Sequence, residues 1–133
     1  MFETQELRFT AHNLYLDSFI QVPRALRFGK YRALNNDDRM LYGELYAKLN
    51  VAQVNGWFNS QGEYYVKVRR STMAHMLGLS PSTLRRCYAR LEEIGLIDIN
   101  HIGQHNIDEV YPKLPIKVEL TAEEVAKLDE RID

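Results

Sequence analysis

The residues with the strongest chemical character lie between Ser71 and Ile94. Ser80-Pro81-Ser82-Thr83 leads into a run containing Arg85, Arg86 and Arg90. At about 100° per residue, Leu84, Tyr88 and Leu91 share one side of a helix, with Cys87 at its edge. Ser82, Arg86, Ala89 and Glu93 lie opposite, flanked by Arg85 and Arg90. Small hydroxyl and methyl side chains followed by arginines suit a helix laid in a DNA major groove. The small residues permit close approach, and guanidinium groups donate to guanine edges or phosphates. Ser82, Thr83, Arg85, Arg86 and Ala89 are therefore candidate base contacts, and Lys67, Arg69, Arg70, Ser71, Ser80 and Arg90 candidate phosphate contacts. A solvated basic face is the competing reading of such a helix. Against it stands the whole stretch Tyr64 to Leu91, which carries six cations and no carboxylate.

Other reactive residues point to less. His101 and His105 are four apart with Asp108 and Glu109 after them. That spacing joins two imidazoles only on a helix, and Gly103 and Asn106 argue against one here, so no metal site is expected. Cys87 faces the core edge without an evident base, which suits an inert thiol. A single cysteine also forbids an internal disulfide and fits a reducing cytoplasm. There is no Gly-rich phosphate loop, no cofactor motif and no sign of catalysis. Most of the eight tyrosines are expected to be structural, with Tyr42, Tyr46, Tyr64 and Tyr88 on core faces.

The elements that must hold these groups follow from punctuation and periodicity. Ser71 reads as the cap of a short helix, Thr72 to Leu77, ended by Gly78. Ser80 caps the next, with Pro81 in its first position and Gly95 after it. Ala74 and Gly78 are small where two helices of a helix-turn-helix would approach. Upstream, Asn35 or Asn36 caps a helix with Asp37 and Asp38 in its first turn and a stripe of Leu41, Leu45 and Leu49. Glu63 to Arg69 alternates as a half-buried strand with Tyr64, Val66 and Val68 inward. Leu96 to His101 and Ile107 to Tyr111 read as a hairpin, with Leu96, Ile97 and Ile99 paired back against the strand at Val66 and Val68. Helix, strand, helix, helix, hairpin is the order of a winged helix, an α+β fold that is mainly α with a small antiparallel sheet. His101, Gln104, His105 and Asn106 would then sit on the wing. Arg24, Arg27, Lys30 and Arg32 form a second basic cluster with no acid from Gln21 to Asn36.

The chain of 133 residues, 45% hydrophobic and 26% charged, is sized for one domain. The expected division is an arm or edge strand over 1–17, the winged-helix domain over 18–115 and an acidic helix or linker over 116–133. Thr121-Ala-Glu-Glu124 ahead of Val125, Leu128 and Ile132 supports a helix there. The net charge of −1 by itself argues against a nucleic-acid binder. It conceals a neutral stretch to Glu63, +6 over Tyr64 to Leu91 and −7 from Glu92 onward. No apolar run is long enough for a transmembrane helix, and the N-terminus lacks a secretory signal.

Several segments together resemble a known family. They are Phe19-Ile-Gln-Val-Pro-Arg-Ala-Leu26, Tyr31-Arg-Ala-Leu-Asn-Asn-Asp37, Leu41-Tyr42, Asn55-Gly-Trp57 with Gly62 and Tyr65, Leu77 to Ser80, and Leu91-Glu-Glu-Ile-Gly-Leu-Ile97. Their order and spacing over about Ser18 to Tyr111 resemble the N-terminal domain of RepA_N-type plasmid replication initiators. Asn35 stands where a serine cap is usual in that pattern. The resemblance implies a bacterial, cytoplasmic winged-helix protein that binds double-stranded DNA at tandem origin repeats (iterons), as a homodimer, with host replication proteins as further partners. A winged-helix transcriptional regulator and a protein–protein interaction module are the alternative readings.

Overall fold

The structure is a computed structural model that describes residues 20–101 and 107–115 together with Ala122, Glu123 and Ala126. After an extended lead, 3-10 turns span Arg24–Arg27 and Gly29–Ala33. Helix α1 (Asn36–Ala47) and α2 (Leu49–Asn55) follow, then β1 (Val66–Arg69), α3 (Arg70–Leu77), α4 (Pro81–Glu93), β2 (Ile97–His101) and β3 (Ile107–Pro112). This is a helix-turn-helix with a three-stranded antiparallel sheet, the winged-helix arrangement.

Helix α1 begins with a reciprocal capping box. The Asn35 side chain accepts from Asp38 N–H at 2.9 Å, and Asp38 Oδ2 accepts from Asn35 N–H at 3.0 Å. The stripe expected through Leu49 is interrupted. Lys48 N–H is shared between the carbonyls of Glu44 and Leu45, the turn tightens, and Leu49 is half-buried at the head of a separate helix. At Gly43 the helix meets the incoming chain, where an added Cβ would lie 3.0 Å from Ile20 Cδ1 and from Val22 Cγ2 and 3.3 Å from Gln21 O. A side chain there would push the lead segment away.

Helix α3 starts two residues earlier than a cap at Ser71 would require. Arg69 holds the cap position without a side-chain capping hydrogen bond, and Ser71 lies exposed inside the first turn. Gly78 ends α3 at φ 68°, with no atom within 4 Å of where its Cβ would be. Its use is therefore the left-handed backbone and not close helix approach. Ser80 caps α4 as expected, accepting from Thr83 N–H, with Pro81 first in the helix.

The sheet order is β1-β3-β2, so β1 pairs with β3 and not with β2 as the sequence suggested. The hairpin keeps β2 beside β3, and β1 joins at the free edge of β3 and not at that of β2. Val66, Val110 and Ile99 stand opposite one another across the sheet, as do Val68, Asp108 and His101. That face packs on the helices. The core joins Leu26, Tyr31, Leu41, Tyr42 and Leu45 to Met73, Leu84, Tyr88 and Leu91 and to Val66, Leu96, Ile97 and Val110. Tyr42 O–H donates to Lys113 O at 2.7 Å, fastening the end of the hairpin to α1. Tyr46 and Tyr64, expected in the core, are instead 37% and 40% exposed. Tyr46 stacks on Tyr42 from outside, and Tyr64 lies beyond β1 in an edge-to-face contact with Phe58.

Candidate nucleic-acid interface

Amphipathic sequence and a firm cap fix which side of α4 faces out. Leu84, Cys87, Tyr88 and Leu91 are buried, whereas Ser82, Arg85, Arg86 and Ala89 are exposed. Thr83 is half-buried beside Ser80, whose hydroxyl donates to Thr83 Oγ1 at 2.9 Å. Arg86 Nε reaches back to Ser82 O at 3.4 Å, so its guanidinium lies along the first turns of the helix. Those turns are the part of a recognition helix that approaches base edges. No acidic residue occupies the first turn of α4.

The six cations between Tyr64 and Leu91 divide into groups that sequence could not separate. Arg90 Nε donates to Asp38 Oδ2 at 2.8 Å, and Asp38 is completely buried at the start of α1. Arg70 Nε donates to Asp108 Oδ2 at 2.8 Å, and its guanidinium lies 4.8 Å from the centroid of the Tyr88 ring. Both arginines are thus engaged by carboxylates of the core. Lys67 lies on the outer sheet face, opposite Glu109 in register, with its ammonium 5.5 Å from the Trp57 ring centroid. Arg69, also on that face, pairs with Ile107 at the end of the sheet where the hairpin loop begins. Ser71 and Ser80 are exposed.

The cysteine environment fits an unreactive thiol. Cys87 is fully buried, and its thiol is pushed up to about 11, first by burial and then by the Asp38 carboxylate. Arg90 Nη2 sits 3.6 Å from its sulfur and opposes that rise only in part. Burial also carries the Tyr88 phenol well above its ordinary value, with Arg70 opposing.

His101 ends β2 where the hairpin loop begins, with Nδ1 3.3 Å from Asp108 Oδ1. Gln104, His105 and Asn106 lie outside the described residues, as do the arm over 1–17 and most of the acidic segment. Arg24, Arg27, Lys30 and Arg32 are exposed on the 3-10 turns. Arg39 of α1 holds the first of these turns, donating to Leu26 O at 2.9 Å. Among the described residues no cluster of His, Cys, Asp and Glu could hold a metal ion. Nor, among them, is any helix long and apolar enough to cross a membrane.

Sequence reasoning missed Asp38 and Asp108 as partners of the basic stretch. Asp38 carried only a helix-start signal. Asp108 stood out only beside His101 and His105, as part of a metal site that was not expected.

Three solved structures share the fold. A Rep–DNA complex aligns with TM-score 0.73 and 24% identity over 94% of this chain and 95% of that one. The N-terminal domain of a DNA-binding protein aligns with TM-score 0.71 and 24% identity over 96% and 95%. An MDR initiator aligns with TM-score 0.67 and 20% identity over 96% and 99%. No curated protein matches the sequence. Residues 18–127 match the family defined by the N-terminus of replication initiator protein A, most of the chain, and the chain therefore belongs to that family.

Proposed function

We propose that this domain binds double-stranded DNA at tandem origin repeats of a plasmid and thereby starts its replication. The observation that carries the reading is the outer face of α4. There Ser82, Arg85, Arg86 and Ala89 stand exposed on a helix whose other side is locked into the core. In a major groove Arg85 and Arg86 would address base edges, with Ser82, Thr83 and Ala89 allowing close approach. Ser71 and Ser80 would meet phosphates along the same side, and the hairpin would reach the neighbouring minor groove. Arg24, Arg27, Lys30 and Arg32 would extend the phosphate track. Arg70 and Arg90 are assigned to holding the helices and not to DNA. Lys67 and Arg69 are left out because they lie on the opposite face of the sheet. A homodimer occupying successive repeats, with host replication proteins recruited to it, completes the proposal, which requires no catalytic group. The fold similarity to a Rep–DNA complex and the family membership support the reading.

Footprinting on tandem repeats and on a single promoter palindrome tests it. Protection of the repeats is expected. Protection of the palindrome alone would favour a transcriptional regulator. Affinity without steep salt dependence would favour a protein-contact module. Arg86→Ala is expected to lower specific affinity by about 1–3 kcal/mol and leave random duplex nearly unchanged. Equal loss on both duplexes would remove Arg86 from base reading.

A further inference from the structure

Asp108 joins four elements through one carboxylate. It lies on β3, only 8% exposed, on the sheet face that packs against the helices. Its Oδ2 accepts from Arg70 Nε at 2.8 Å, at the first residue of α3. Its Oδ1 lies 3.3 Å from His101 Nδ1, on the last residue of β2. Arg70 in turn lies against the ring of Tyr88, which is buried on α4. The path therefore runs from the hairpin, through Asp108 and Arg70, to the interior side of the exposed helix. A planar guanidinium held at Nε by a carboxylate and facing an aromatic ring has little freedom to turn.

We propose that Asp108 is a positioning residue that keys the wing hairpin to the recognition helix, so that both engage DNA in one fixed geometry. This rests on the DNA-binding reading above and extends it, because it assigns a role in sequence discrimination to a residue that cannot touch DNA favourably. A carboxylate beside a phosphate surface opposes binding electrostatically. Removing its charge should raise affinity for arbitrary DNA if charge were its only influence. A positioning role has the opposite sign for specific DNA, since the wing and α4 then no longer meet their grooves in register.

The test compares the full chain with its Asp108→Asn and Arg70→Met variants on two duplexes. One carries the repeat that the wild-type protein protects, and the other is a scrambled duplex of equal length and composition. Asp108→Asn is expected to lose roughly tenfold or more on the repeat, as members of one side-chain network do. It should bind the scrambled duplex as well as wild type or better, with the same salt slope. Hydroxyl-radical protection should persist at the major-groove block of α4 and fade at its flank. Arg70→Met should behave in the same way, without the reduction of the salt slope by about one that loss of a phosphate ligand gives. The double variant Arg70→Met with Asp108→Leu removes both charges and keeps apolar volume, so it covers the case in which a single variant unfolds. It is expected to show the same selective loss. Unchanged discrimination in a folded variant overturns the role of Asp108, and so does equal loss on both duplexes. Absence of discrimination in the wild-type protein instead overturns the DNA-binding reading and this inference with it.

Discussion

Asp38 has no access to water, yet it accepts hydrogen bonds from Asn35 N–H and from Arg90 Nε, at 3.0 and 2.8 Å. Removing one partner of a buried ion pair is strongly destabilising. Arg90→Met is therefore expected to destabilise the fold by on the order of 3 kcal/mol in urea denaturation, the low end for a broken buried pair, because the guanidinium is partly in water. Arg85→Met, at an exposed position on the same helix, should stay within about 0.5 kcal/mol. Equal costs for the two would show that Asp38 tolerates isolation. Cys87 beside this pair holds its proton up to about 11. Iodoacetamide at pH 8 should label it in urea and not in the native protein, and labelling of the folded chain would contradict the buried thiol. At this scale residue types were legible from the sequence and their partners were not. Arg70 and Arg90 are spelled no differently from Arg85 and Arg86, and what separates them is a carboxylate 38 or 52 residues away in the chain.

The local elements were legible where one residue's backbone or side chain settles the matter. Ser80-Pro81 fixed the start of α4, and Gly78 marked the left-handed end of α3. Ser80→Ala is expected to cost about 1 kcal/mol through loss of the hydrogen bond to Thr83 N–H, read as a lower thermal midpoint. Gly43→Ala should destabilise as well, despite the better helix propensity of alanine. Its Cβ would meet Ile20, Val22 and the Gln21 carbonyl, and only a shift of the lead segment relieves that contact. Stabilisation by Gly43→Ala would show that the segment yields. The elements misjudged from sequence were those decided by other parts of the molecule. The run from Leu41 to Leu49 has one apolar period but forms two helices. Tyr64 continues the alternation of Val66 and Val68, yet it lies outside the ladder that would have buried it.

Across the whole molecule, charge and burial set how stability and binding respond to solution conditions. Cys87 and Tyr42 are both raised in the folded state, to about 11 and about 12, in each case chiefly by burial. The folded chain therefore retains protons that the unfolded chain releases. Its stability is complete below the ordinary values of 9.0 and 10.0 and declines as pH rises toward 11 and 12. Thermal midpoints at pH 8, 10 and 11 should fall in that order, and a flat profile would contradict these assignments. The −7 carried from Glu92 onward is expected to oppose binding to arbitrary DNA, so a chain ending before Glu119 should bind random duplex more tightly at low salt. Unchanged affinity would count against this. The sequence by itself determined the winged-helix order, the caps of α1 and α4, the buried stripe of α4 and the concentration of cations in one stretch, because propensity and periodicity act between near neighbours. Only the tertiary structure decided that β3 lies between its partners and that Asp38 and Asp108 take Arg90 and Arg70. Those outcomes depend on contacts between residues distant in the chain, and local patterning carries no record of such distances.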